Sequence, residues 1–584
     1  MKNLLNRLLP SALIFAALTA VAQVSDRQYL WPADKMPDAQ PHQIAAMLNV
    51  AQRADFVADD NRIPFIEWFE RPDSAVANGC CMVLISGGAY ETCCDISLID
   101  RWHKTFTDLG YQCVNLVYRT PWPEGMPVHQ TAWEDGQRAI RLIRSQAAER
   151  GFAPDKICTV SMSAGSHLAL MLGTSSLTPA YKPIDQLDTV ACNINYAIVN
   201  APAVLHPDSI SGKYVWYNPD TEKSLRLEKA FDSLTCPMSL HHGGLDPYTP
   251  ITSTQVYRQL RRMGIPAELH LYPGKGHGAY GLERGVEFLN QLNVAGNLQA
   301  EEDLMSRYGN DDARGEYLRQ TVWPEKLMPD PDPQQCEPYL EWHFPKKRTT
   351  DAIQIIYSGG SYMGNDPDGF EVAPARRYLN DLGMTVVTMR YRSPRPAGKA
   401  KHISAWQDLQ RAVRLVRSQA KEHGLDPEKI GIMGSSAGGH LTLMGVTSSM
   451  APAYEPIDSI DALPCNVQWG IAIYPAYALT DGLEEGNTTG GNDDSAVLAP
   501  EFAFDEATVP MLFIHGDADG WAAMNSVKSW ERLRDMNLQS ELHTLALRPH
   551  CFQRTASPGT GSHSWLGRIS DFLSEKGLVE PRRH

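Results

Sequence analysis

The chain of 584 residues has no basic run, and its 53 Lys and Arg are outnumbered by 68 Asp and Glu, for a formal net charge of −15. Binding to a polyphosphate backbone depends on clustered cations, so nucleic acid is not an expected partner. Beyond the N-terminus no stretch approaches the ~18 consecutive apolar residues of a spanning helix. The Cys and His residues do not fall into zinc-type spacings. What remains is an ordinary globular composition, 43% hydrophobic and 21% charged.

The first residues read as a secretory signal. Lys2 and Arg7 precede an apolar run from Leu8 to Ala22 that ends Ala20-Val21-Ala22, a small-x-small cleavage site. Cleavage after Ala22 is expected, giving a periplasmic or secreted chain with no membrane span; an uncleaved anchor is the alternative. The 11 Cys are an odd count for an exported protein. Cys80-Cys81 and Cys93-Cys94 form a cluster that allows a disulfide whose pairing the sequence does not assign. Cys192 and Cys465 read as buried structural thiols.

The chain carries an internal duplication. Ser163, Asp246 and His277 recur as Ser436, Asp519 and His550, each displaced by 273 residues. Tyr118-Arg119, Trp133 and Cys192 recur at the same displacement as Tyr391-Arg392, Trp406 and Cys465. Gly87 lands on Gly360 without a gap, whereas one gap aligns Ser86-Gly87-Gly88 with Ser358-Gly359-Gly360. Each copy opens alike, with Trp31-Pro32 and Met36-Pro37-Asp38 answered by Trp323-Pro324 and Met328-Pro329-Asp330. A period this long makes each copy a complete domain, and a chain of this length exceeds one compact core. The expected organisation is a signal over 1–22, one domain over 23–300 and a second over 301–584, with the boundary in the charged stretch from Ala295 to Gln320. The two domains are expected to pack against each other.

Within each copy short apolar runs alternate with helical periodicity. Met82 to Ile85 and Ile353 to Tyr357 end in Gly-Gly, and Cys113 to Tyr118 and Thr385 to Tyr391 are β-branched and apolar. Helices are expected over Trp133 to Arg150 and Trp406 to His423, then strands over Lys156 to Val160 and Lys429 to Met433. The fold class is α/β: two tandem domains, each a mostly parallel central sheet flanked by helices.

The second copy has Gly434-Ser435-Ser436-Ala437-Gly438 between a strand and a helix. In that setting a sharp turn exposes the serine hydroxyl as a nucleophile. The first copy has Ser161-Met162-Ser163-Ala164-Gly165, with Ser in place of the first Gly. Either serine could instead be a helix N-cap. Asp246 and Asp519 follow apolar strands, where a carboxylate can orient the base imidazole. Asp517 competes with Asp519, but its counterpart is Gly244. His277 and His550 lie on loops after the last strand of each copy, the place for the general base. His563 is the second choice in the second copy. The order Ser, Asp, His is that of the α/β-hydrolases. Backbone donors for an oxyanion are expected at Gly88, Ala89 and Ala164, and at Gly360, Ser361 and Ala437. A structural Gly-Gly turn at Gly87-Gly88 and Gly359-Gly360 is the alternative reading. His167 and His440, four residues after their serines, and the pair His241-His242 read as hydrogen-bonded structural residues.

With these residues in place, both copies resemble the bacterial α/β-hydrolases of acetylxylan and feruloyl esterase type, close to the hormone-sensitive-lipase-like esterases. The markers are Ser86-Gly87-Gly88-Ala89-Tyr90, Ser358-Gly359-Gly360-Ser361-Tyr362, Tyr391-Arg392, the run Arg411 to Arg417 and Gly434 to His440. Ser161 and Ser166 depart from it where the family prefers Gly. The resemblance implies a serine carboxylesterase acting on acetyl or feruloyl esters of polysaccharides or oligosaccharides, with no metal and no organic cofactor. It implies Ser436, His550 and Asp519, and Ser163, His277 and Asp246, as nucleophile, base and orienting acid. Two other readings stand beside it: a serine peptidase of prolyl-oligopeptidase type, and a non-catalytic first copy that binds glycan or packs. The segments from Ala203 to Asp232 and from Ala476 to Asp505 differ most between copies and are expected to shape specificity.

Overall fold

The computed structural model describes residues 26–32, 35–41, 43, 63–93, 96–203, 230–294, 307–308, 315–480, 496–555 and 565–581. The expected signal segment, Cys94, His563, residues 204–229 of the first specificity segment and residues 481–495 of the second lie outside them.

Among the described residues sixteen strands form one sheet. The first copy supplies β1 (Asp26–Tyr29), β2 (Phe65–Phe69), β3 (Cys81–Ile85), β4 (Gln112–Val117), β5 (Ile157–Met162), β6 (Tyr196–Asn200), β7 (Met238–Gly243) and β8 (Ala267–Tyr272). The second supplies β9 (Leu318–Thr321), β10 (Tyr339–His343), β11 (Ile353–Tyr357), β12 (Thr385–Arg390), β13 (Ile430–Ser435), β14 (Trp469–Ile473), β15 (Met511–Gly516) and β16 (Glu541–Leu545). Their spatial order is β1-β2-β4-β3-β5-β6-β7-β8-β16-β15-β14-β13-β11-β12-β10-β9. Read from either edge, each half runs first, second, fourth, third, fifth, sixth, seventh, eighth, the α/β-hydrolase order. Among the described residues the two outermost ladders within each half-sheet are antiparallel, and from β4 to β8 and from β12 to β16 the ladders are parallel.

The central strands are apolar along their length because helices cover both faces. Cys81-Met82-Val83-Leu84-Ile85 is buried throughout, as is Met511-Leu512-Phe513-Ile514-His515-Gly516. The expected helix over Trp133 to Arg150 is two pieces, Gln130–Ser145 and Ala147–Arg150, and its counterpart is Ile403–Gln419 followed by a 3₁₀ turn, Ala420–His423. The charged stretch taken as the boundary reaches into β9, so its last residues, Leu318 to Gln320, belong to the second half-sheet.

The recurring opening phrases have a packing reason. Arg119 and Arg392, fully buried after β4 and β12, are clamped by Asp135 and Asp408. The same carboxylates accept from the indoles of Trp31 (2.7 Å) and Trp323 (2.6 Å), and each guanidinium also reaches a proline carbonyl of the opening phrase, Pro37 or Pro329, at 2.6 Å. A buried guanidinium must be paired and its donors satisfied, so Trp-Pro and Tyr-Arg recur together.

The two halves join edge to edge. β8 pairs antiparallel with β16, placing His270 opposite His543 and Leu271 opposite Leu542. Beside the seam, Arg258 and Thr254 of the first copy bind Glu531 of the second, and Arg534 reaches Thr249 at 3.0 Å. Each half thus covers the edge strand of the other, which removes an exposed template for aggregation. No helix among the described residues is long and apolar enough to cross a membrane.

Candidate active site

Each serine stands at a strained corner. Ser436 ends the turn between β13 and the helix Ala437–Thr447 with φ 54° and ψ −118°; Ser163, between β5 and Ala164–Thr174, has φ 58° and ψ −125°. A side chain in this region is costly, and such strain gathers at functional sites. Neither side chain caps its helix. Small neighbours are required here. A Cβ on Gly438 would lie 2.6 Å from the Ser358 carbonyl oxygen, and one on Gly434 would lie 2.4 Å from the Gly438 carbonyl oxygen and 2.6 Å from the Tyr357 ring. The first copy has Ile85 in place of Tyr357, and Ser161 is accommodated there, its hydroxyl accepting from Ser166 at 3.0 Å and donating to the Ile198 carbonyl at 3.1 Å.

In the second copy the expected residues meet. His550 Nε2 is 2.9 Å from Ser436 Oγ, and His550 Nδ1 is 2.7 Å from Asp519 Oδ2. Asp519 also accepts from the Trp521 backbone N–H at 2.7 Å and faces His515 Nε2 at 3.3 Å. Burial alone would raise this carboxyl, but the hydrogen bonds from His515 and His550 outweigh it and hold it at about 2. It therefore stays ionised and fixes the His550 tautomer that leaves Nε2 facing the serine. Asp517 points elsewhere. It binds Arg261 and accepts from the Tyr257 hydroxyl at 2.7 Å, both across the seam, which explains why its counterpart Gly244 needs no carboxylate.

In the first copy His277 Nδ1 is 2.8 Å from Asp246 Oδ2, and Asp246 accepts from the Tyr248 N–H at 2.8 Å with His242 at 3.2 Å. Asp246 is held below the usual carboxylate range, burial being outweighed by the hydrogen bonds from His242 and His277. Among the described residues no hydrogen bond joins His277 to Ser163. The base and acid are paired here, and the link to the serine is open.

The Gly-Gly turns lie against the serines. A Cβ on Gly87 would sit 2.6 Å from Ser163 Cβ, and one on Gly359 2.7 Å from Ser436 Cβ. This equivalence selects the gapped alignment of the two motifs. Gly88 (φ 130°) and Gly360 (φ 104°) follow, in a region favourable to glycine, with Thr92 and Gly364 carbonyl oxygens 2.1 Å from where their Cβ atoms would be. The backbone N–H groups of Gly360, Ser361 and Ala437, and of Gly88, Ala89 and Ala164, donate to no acceptor among the described residues. The turn is held from behind: Gly359 N–H donates to Glu371 at 2.8 Å, and the Tyr391 hydroxyl donates to the Gly359 carbonyl at 2.8 Å.

Several contributors were not singled out by the sequence reading. His242, read as structural, and His515 touch the carboxylates of Asp246 and Asp519; their four-residue spacing to those aspartates, repeated in both copies, was the available signal. Glu371 and Tyr474 exist as a pair only in the folded second copy. Tyr474 donates to Glu371 at 2.9 Å, and its ring lies 4.7 Å from that of His550. At the matching position the first copy has Ala201. His167 and His440 accept or donate at 2.8 Å with Tyr90 and Tyr362, as hydrogen-bonded structural residues do. His440 also meets Glu501 beside His402, the one group among the described residues with metal-ligand geometry. All ten described Cys are free thiols; the cluster at Cys80, Cys81 and Cys93 contains no disulfide among them.

Comparison with known proteins matches the family model BD-FAE to residues 70–202 and 340–481, one stretch in each copy. The chain is similar to "Probable carboxylic ester hydrolase LipM" of Mycobacterium tuberculosis, 30% identical over 254 residues that are 40% of this chain and 57% of that protein. It is similar to "Acetylxylan esterase" of Xylanibacter ruminicola, 33% identical over 114 residues, 18% of this chain and 21% of that protein. The chain thus spans between about a fifth and three fifths of the length of these curated relatives. Among solved structures, an acetyl ester-xyloside bifunctional hydrolase from Caldicellulosiruptor lactoaceticus is 22% identical with a TM-score of 0.37, covering 46% of this chain and 98% of that chain.

Proposed function

We propose that this chain, which carries a BD-FAE domain in each of its copies, is a serine carboxylesterase that removes acetyl or feruloyl groups from polysaccharides or oligosaccharides. The observation that carries the reading is the unbroken line Ser436–His550–Asp519, with the serine on a strained corner beside unpaired backbone donors. Ser436 Oγ attacks the ester carbonyl while His550 Nε2 takes its proton. Charge developing on the carbonyl oxygen is met by the N–H groups of Gly360, Ser361 and Ala437 at a helix N-terminus. His550 then protonates the departing sugar hydroxyl, leaving an acyl-Ser436 ester. Water, deprotonated by His550, releases the carboxylic acid and restores the serine. Asp519 remains ionised and stabilises the imidazolium throughout.

The similarity to an acetylxylan esterase supports a glycan ester over a lipid one. The N-terminal apolar run ending at Ala22 supports export and a mature chain of two domains divided near residue 300. A second reading, in which the first copy is chiefly a packing partner, is favoured by the missing Ser163–His277 link.

The test is hydrolysis of p-nitrophenyl acetate and of acetylated xylooligosaccharide by the full chain, Ser436→Ala, Ser163→Ala and the double variant. Loss of nearly all turnover in Ser436→Ala, with Ser163→Ala close to wild type, is the expected result. Equal rates for wild type and double variant would remove the esterase reading.

A further inference from the structure

His402, His440 and Glu501 come from three separate segments and converge. One nitrogen of each imidazole and one carboxylate oxygen lie within 4.8 Å of one another. His440 Nε2 is 3.0 Å and His402 Nδ1 is 3.9 Å from Glu501 Oε1. His440 stands on the first turn of the helix after Ser436, His402 precedes the helix Ile403–Gln419, and Glu501 follows a short ladder between Leu479–Thr480 and Val497–Leu498.

Three features go beyond proximity. His402 Nδ1 is buried with no hydrogen-bond partner among the described residues. A buried polar nitrogen without a partner is costly, and a cation would use its lone pair. His440 is hydrogen-bonded on its other nitrogen, Nδ1, to the Tyr362 hydroxyl at 2.8 Å. This is the outer bond that orients a metal-ligating imidazole and leaves Nε2 for the ion. Finally, the set recurs: His129, His167 and Glu228 stand 273 residues earlier, and the His129 and His167 rings are 5.5 Å apart, as are those of His402 and His440. Glu228 lies outside the described residues.

We infer that His402, His440 and Glu501 form a binding site for a divalent transition-metal cation of the zinc type. Two imidazole nitrogens and one carboxylate suit such an ion better than calcium or magnesium, which take oxygen ligands. His402 and Glu501 also line a cavity of about 690 Å³ that extends past Met363 and Tyr477, so water or a substrate oxygen can complete the shell. Because Tyr362 directly follows Gly360-Ser361, an ion here would brace the oxyanion turn against the helix that carries Ser436.

The experiment is Co²⁺ titration of the chelator-stripped full chain, followed by its visible ligand-field band and by bound metal per chain, with Zn²⁺ as displacing ion. His402→Ala and Glu501→Gln are titrated in parallel, with circular dichroism to verify folding; Glu501→Gln keeps the side-chain volume. The expected result is a band bleached by Zn²⁺ and one equivalent fewer, or at least about 100-fold weaker binding of that equivalent, in each variant. The difference between chains removes any contribution of thiols or of the first copy. No band, or the same stoichiometry and affinity in wild type and both variants, would overturn the site. The readout does not depend on ester hydrolysis, so it can fail while the esterase reading stands.

Discussion

His270 and His543 occupy the same place in the two copies and meet each other, Nδ1 to Nδ1 at 2.8 Å, where the half-sheets join. Their outer nitrogens face carboxylates, His270 Nε2 at 3.0 Å from Glu268 and His543 Nε2 at 2.5 Å from Glu541. Burial drives both imidazoles well below their usual range, so both rings are neutral. Two neutral rings sharing a bond between Nδ1 atoms leave one Nε2 as donor and the other as acceptor. One of the two glutamates must then be protonated. Burial raises both carboxyls, but Glu268 has the Ala546 N–H at 3.1 Å and Arg284 at 3.9 Å opposing the shift, whereas Glu541 is pushed up to about 8. Glu541 is the neutral member and donates to His543.

This fixes a pH dependence. Between the ordinary value of 4.5 and about 8, the folded chain keeps a proton on Glu541 that the unfolded chain releases. The contribution of this group to stability is full below 4.5 and is lost as pH rises to about 8, at up to ~1.4 kcal/mol per pH unit. Glu541→Gln should flatten that part of the curve. Thermal midpoints of both chains across the window check it, and parallel curves would refute it.

Asp519 and Asp517 should separate cleanly. Asp519→Asn removes the acceptor that fixes the His550 tautomer and should lower kcat by about 10³–10⁴ with little change in KM. Asp517→Asn removes the carboxylate that binds Arg261 and Tyr257 across the seam and should destabilise the chain by about 1–3 kcal/mol while sparing kcat. Steady-state kinetics and denaturant unfolding distinguish them; a kcat loss in Asp517→Asn comparable to that in Asp519→Asn would reverse the assignment.

Gly360→Ala should reduce kcat by about 10²–10³, because φ 104° and the Gly364 carbonyl 2.1 Å from the new Cβ force the oxyanion turn to move. Gly364→Ala, whose Cβ meets nothing within 4 Å, should be nearly silent. Similar kcat values for the two variants would mean that the turn does not hold the donors.

Tyr474 packs on His550 and is tied to Glu371, which also holds the Gly359 N–H. Tyr474→Ala recreates the first copy's Ala201 and should loosen His550 from Ser436, lowering kcat by about 10–100-fold with KM retained. Tyr474→Phe keeps the ring and should lose less. If the two substitutions cost the same, ring packing is not what seats the base.

By itself the sequence determined the duplication, the α/β class, the strands that end in Gly-Gly and in the serine corner, and the order Ser, Asp, His. These features are local or periodic: a strand buried on both faces must be apolar, and a corner that brings backbones together must be small. Which acid serves His550 was already favoured by the Gly244 comparison; the fold adds the reason, since Asp517 answers Arg261 from the other copy. Only the tertiary structure decided that the two copies share one sheet through His270 and His543, that His550 meets Ser436 while no hydrogen bond joins His277 to Ser163 among the described residues, and that His402, His440 and Glu501 converge. Each of these is a meeting of residues far apart in the chain, set by strand order and helix packing rather than by any spacing along it.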